Sequence, residues 1–163
     1  MKKLITICLL MAATYTVKAQ DGKPTKERTI NFIQSALNES IGSKYYGKVI
    51  EKNVFTHDML NKCIVDGSSN KIDTYYNINW ELYNGCAARG DNGIVRIDVY
   101  MSNPVKNIAT STKIGEEEPY YSVTNYDDQI HFFAPYNKVE SLKKAFARLA
   151  EIAKEENKDP FKN

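Results

Sequence analysis

IVRIDVYM, residues 94–101, alternates without a break. Val95, Ile97, Val99 and Met101 fall on one side of an extended chain, and Ile94, Arg96, Asp98 and Tyr100 on the other. A strand with one apolar and one polar side belongs in an antiparallel sheet that faces a core on one side only. A parallel sheet covered by helices on both faces would read as an unbroken apolar run. Asn103-Pro104 reads as the end of this strand, and VKNIATSTKI (105–114) as its antiparallel return. YYSVTNY (120–126) and QIHFFA (129–134) read as a further hairpin across Asp127-Asp128. Upstream, GKVIEKNVFT (47–56), NKCIVDG (61–67) and DTYYNINW (73–80) are rich in β-branched and aromatic residues. Turn signals at short intervals favour a meander over βαβ units.

Helical periodicity brackets these strands. Ile30, Ile33, Leu37 and Ile41 recur at spacings of three and four, which predicts a helix over 25–41. Thr25 is placed to cap its start and Gly42 to stop it. Val139, Leu142, Phe146, Leu149, Ile152 and Ala153 form a second stripe, with Lys143, Lys144, Arg148 and Glu151 away from it, predicting a helix over 138–156. Asn137 followed by Glu140 resembles a capping box. The stripe needs a large apolar surface to cover, and one face of the sheet is the surface available. The expected class is α+β: an N-terminal helix, an antiparallel meander or half-barrel of about six to seven strands, and a long C-terminal helix packed on the sheet.

The ends bound the compartment. Met1-Lys2-Lys3, the apolar run Leu4–Val17 and the short side chains before Gln20 read as a signal peptide over 1–19. The run is too short for a stable membrane anchor, which needs about 20 apolar residues. Export follows, to the periplasm or the medium. The single domain spans 20–156 and a polar tail 157–163. The whole chain has 22 basic and 20 acidic side chains. Without Lys2, Lys3 and Lys18 the basic count is 19 against 20, a balance of −1. The remaining cations are interleaved with acids, which argues against a nucleic-acid partner.

The segments KAQ (18–20), KERTINFIQSAL (26–37), YYNINW (75–80) and LKKAFARLAEIAKEENKDPF (142–161) resemble a group of small secreted bacterial proteins. The resemblance covers both ends and one central strand. It implies a pleckstrin-homology-like half-barrel, with a Bet-v-1-like grip as the alternative, and transfers no site residues.

Candidate chemistry is sparse. Cys63 and Cys86 remain after cleavage, and in an oxidising compartment two cysteines suggest one disulfide. The alternatives are two buried free thiols, or a nucleophile activated by His57 or His131. Arg89-Gly90-Asp91 followed by Asn92-Gly93 reads as a hairpin turn rather than an adhesion ligand. The histidines lack zinc-ligand spacing and the acid runs 116–118 and 127–128 lack a calcium-loop pattern, so neither a metal nor a cofactor is expected.

Tyrosine is the residue class that can carry function. Tyr45-Tyr46, Tyr75-Tyr76 and Tyr120-Tyr121 are doublets. In a strand one ring of each enters the core and the other faces out. Tyr46, Tyr76, Tyr100 and Tyr121 are the candidate binding residues, able to grip a protein or a glycan. The leading reading is a non-enzymatic binding module with an exposed tyrosine-bearing sheet face. Behind it stand a carrier of a small apolar ligand between the sheet and the C-terminal helix, and an enzyme with a Cys or His site.

Overall fold

The computed structural model describes residues 22–90 and 93–158. The expected signal segment 1–19, the turn residues Asp91 and Asn92, and residues 159–163 of the tail lie outside the described residues. The described chain runs α1 (Lys26–Asn38), β1 (Lys44–Tyr45), β2 (Lys48–Phe55), β3 (Met59–Asp66), β4 (Ser69–Tyr76), β5 (Tyr83–Arg89), β6 (Ile94–Lys113), β7 (Tyr121–Pro135) and α2 (Val139–Asn157). The fold is α+β, one antiparallel half-barrel sheet with a helix before it and a long helix after it.

The caps explain where the helices begin and end. The Thr25 hydroxyl accepts from the Arg28 N–H, which satisfies one free donor of the first turn of α1. The helix stops at Asn38, short of the expected 41, and turns carry the chain to Gly42 at φ +82°. The Asn137–Glu140 capping box does not form. A 3-10 turn over Tyr136–Lys138 leads directly into α2, and Glu140 pairs with Lys143 at 2.8 Å instead.

The long strands correct the sequence reading. Residues 94–101 and 105–113 belong to one strand, β6, and residues 121–135 to one strand, β7, which pairs with β6 along both halves. β4 pairs with Lys106–Lys113 and β5 with Arg96–Met101, so β4 and β5 lie end to end along the opposite edge of β6. Pro104 does not end the strand because it falls where the register shifts between Tyr100 and Val105 and no ladder donor is needed. Asp127-Asp128 is likewise mid-strand, with Asp127 opposite Val105. The break between β4 and β5 (residues 77–82) lies at the same level, so the sheet bends there across three strands.

The core lies between sheet and helices. Val95, Ile97, Val99 and Met101 are buried as their alternation predicts, alongside Ile130, Phe132 and Ala134 of β7. Phe146 of α2 stacks on Trp80 at 5.7 Å between centroids and meets Phe132 at 5.1 Å, while Phe55 meets Trp80 and Phe132. Trp80 Nε1 donates to the His57 carbonyl, satisfying its buried donor. β1 pairs with only the first residues of β2, leaving the rest of that edge to α1. There Gln34 accepts the Phe55 N–H at 2.5 Å and donates to the Asn53 carbonyl at 3.0 Å. Asn53 returns hydrogen bonds to the Leu37 carbonyl and Ser40 hydroxyl at the end of α1. Since α1 also touches β7, it bridges the first and last long strands.

Candidate functional site

Register decides which side chains share a face. On β7, Tyr121, Val123, Asn125, Asp127, Gln129, His131 and Phe133 alternate onto one side. Directly opposed residues share a face, so Asn107, Tyr100, Asp98 and Arg96 of β6 join that side. Tyr75 and Asp73 of β4 and Lys62 of β3 join it through the β4–β6 and β3–β4 ladders. This side is concave: Lys62 Nζ lies 5.2 Å from the Phe133 ring centre, although β4 and β6 stand between their strands.

The concave side holds a charged cluster that strand alternation presents as a solvent face. Asp98 is fully buried. Its carboxylate is 2.6 Å from Arg89 Nε, 2.8 Å from Arg96 Nε and 2.8 Å from His131 Nδ1, and it accepts from Arg96 Nη2 at 3.1 Å. Burial pushes the Asp98 carboxyl up, but the hydrogen bonds from Arg96 and His131 outweigh it and hold it below the usual carboxylate range. Burial, aided by the charge of Lys62, holds the His131 ring below its ordinary value, against the pull of Asp98. Lys62 is buried beside the Tyr75 and Phe133 rings and pairs with Asp73 at 3.2 Å; burial lowers its ammonium. Arg89 is thus an ion-pair partner and not just a turn residue. The turn itself depends on Gly90, at φ +123°, where a Cβ would lie 2.8 Å from Val95 Cγ1.

A cleft of about 220 Å³ opens onto this region, lined by Tyr45, Tyr46, Lys48, Ile64, Arg96 and Phe133. Tyr45 meets Phe133 at 4.8 Å and the edge of Tyr46 at 4.7 Å. Tyr46 and Gly47 form the two-residue turn between β1 and β2, with Tyr45 opposite Lys48. Tyr46 has φ +48° and is 87% exposed. Left-handed backbone costs a non-glycine residue on the order of 1–2 kcal/mol, and a turn of this type favours Asn or Gly at that position.

The four candidate tyrosines do not converge. Tyr46 stands on the cleft, and Tyr100 is half-buried on the concave side, hydrogen-bonded to Arg89. Tyr121, opposite Ser111, shares the concave side's parity. Tyr76 alone points to the opposite face, where Lys106 lies beside it and Tyr126 lies beyond Lys106 on the next strand. Tyr126, which the alternation argument passed over, is the more exposed of the pair. The doublet rule holds for Tyr75-Tyr76, buried and exposed, but both Tyr120 and Tyr121 are exposed.

No family model, curated protein or solved structure matches the chain.

The expected disulfide is not formed; Cys63 and Cys86 are free thiols. Cys63 lies in register with Ile72 and through it with Thr110 at the far half of β6, whereas Cys86 pairs with Val99 in the near half. That separation exceeds the reach of a disulfide. The Cys63 thiol approaches Glu51 at 3.5 Å and is pushed up to about 11 by burial and that carboxylate. Cys86 accepts from the Tyr83 hydroxyl at 3.5 Å and is raised by burial. Their partners are a carboxylate and a phenol rather than an imidazole, so neither is set up as a thiolate nucleophile. His57 is exposed beside Asp58.

Where the carrier reading places a cavity, the Phe55, Trp80, Phe132 and Phe146 rings fill the space between sheet and α2. An open cleft of about 380 Å³ lies at the end of α2, but Lys26, Asp58, Asn77, Asn79 and Glu81 make about half of its wall polar. Among the described residues, no group of three His, Cys, Asp or Glu could hold a metal ion, and no helix is long and apolar enough to cross a membrane.

Proposed function

We propose that this protein is an exported, non-enzymatic binding module that grips an extended glycan on the sheet face bearing Tyr76 and Tyr126. The carrying observation is the shared register of both tyrosines with Lys106. Two strand spacings separate the rings, roughly 10 Å, close to two sugar rings end to end. Beyond them the same face continues as Thr74, Ile108 and Thr124, then Ile72, Thr110 and Ser122. Flat phenol rings stack on the C–H faces of sugars, while Lys106 between them and the Thr110, Ser122 and Thr124 hydroxyls beyond them meet sugar hydroxyls. A protein partner would favour a larger apolar centre than this hydroxyl-rich floor supplies.

The test is titration calorimetry against soluble oligosaccharides from a glycan array hit. Tyr126→Ala should weaken binding at least tenfold while the melting temperature stays put. Tyr121→Ala, on the other face, should leave binding alone. Loss of affinity with Tyr121→Ala and not with Tyr126→Ala would overturn the reading.

A further inference from the structure

We infer that the cleft between the β1–β2 turn and Phe133 is a second site, one that takes a small single-ring aromatic carboxylate. Three features converge on it. The first is an unfavourable residue choice. Tyr46 holds a left-handed turn position that glycine or asparagine would hold without strain, yet its large ring is almost wholly in water. It contributes almost nothing to the core, and it lines the cleft. The second is the wall. Tyr45 and Phe133, tilted against each other at 4.8 Å, provide aromatic surface opposite Ile64. The volume, about 220 Å³, is below that of a drug-sized pocket and above a cavity that holds benzene, which limits the occupant to one ring with a short substituent.

The third feature is charge. Lys48 and Arg96 line the cleft and no carboxylate does. Each shares its anion with a second cation: Lys48 and Lys71 both pair with Asp66, and Arg96 and Arg89 both pair with Asp98. Lys62 is matched by Asp73. The rim is therefore short of negative charge, and a ligand carboxylate supplies it. The same cations argue against a quaternary ammonium, which three aromatic rings would otherwise suit.

Benzoate, benzyl alcohol and benzyltrimethylammonium are the probes, titrated into the full chain by calorimetry and by the NMR shifts of Tyr46 and Phe133. Benzoate should bind at least tenfold more tightly than either of the others. Tyr46→Asn should raise the melting temperature or leave it unchanged, because it relieves the turn, and should weaken benzoate at least tenfold. Lys48→Gln should weaken benzoate several-fold and leave benzyl alcohol alone. Benzoate no tighter than the alcohol, preference for the ammonium, or full benzoate affinity in Tyr46→Asn each overturns the assignment. Tyr126→Ala serves as a control: benzoate binding that falls with it would place the ligand on the glycan face.

Discussion

Phe146→Ala should cost the fold about 3–5 kcal/mol, the range for truncating a fully buried aromatic. The ring stacks on Trp80 with only 2° between planes and also meets Phe132. Its loss opens a void where α2, the connection between β4 and β5, and β7 come together, and none of the three can collapse into it without disturbing another. Lys144, two residues away and exposed, is the control: Lys144→Ala should stay within about 0.5 kcal/mol of the parent. Urea melts with equal slopes decide the matter. Coincident midpoints would mean that α2 does not lock the core through this ring.

Asp98→Asn should be the second most damaging change, at about 3 kcal/mol. Removing one partner of a buried ion pair leaves the other uncompensated. The low end of that range applies because Arg96 is partly open to water and Arg89 mostly so. The effect carries a pH signature. The folded Asp98 carboxyl is depressed, so the unfolded chain takes up that proton first and the contribution is lost as pH falls below about 4. His131 is depressed too, so the unfolded chain binds its proton first and stability falls from about pH 6.5 downward. Lys62, Arg96 and Asp98 are the charges around that ring; burial is the main cause of the depression, the two cations add to it, and the aspartate opposes it. The parent should therefore weaken steadily on acidification, and the gap to Asp98→Asn should close in strong acid. Urea melts at pH 7, 5 and 3 test this, and a gap that stays constant across them would remove Asp98 from the centre of the network.

Helix positions, the α+β class and the buried side of residues 94–101 were legible because each rests on a periodicity within one segment. Thr25 was legible from its hydroxyl, placed just ahead of the periodic stripe where a helix start needs an acceptor. The lengths of β6 and β7 were not. Asn103-Pro104 and Asp127-Asp128 carry genuine turn chemistry, and only the neighbouring strands reveal that they mark a bend within a strand. The cluster around Asp98 was hidden more deeply. Arg96 and Asp98 alternate with valine and isoleucine, which usually means water on their side. The curl of the sheet brings Lys62 and Phe133 over that side instead, and no local pattern encodes the curl. The nearest available signal was the spacing of Arg96 and Asp98, two residues apart on one face. Cys63 and Cys86 misled because their count, with the expected compartment, favours a bond that the register keeps apart.

The place of α1 has a consequence for the order of assembly. Apart from the β4–β6 ladder, which must wait for the intervening β5, each ladder joins strands consecutive in the chain through a short connection, and little chain entropy is lost at those steps. The helix is different. It joins the edge of β2 to β7, and those two surfaces meet only when the whole sheet has curled. Its docking therefore comes late on the way in, and its release comes early on the way out. The N-terminal helix acts as a clasp on a sheet that can already form without it, an order that native-state amide exchange would read as α1 opening at a lower free energy than the β6–β7 ladder.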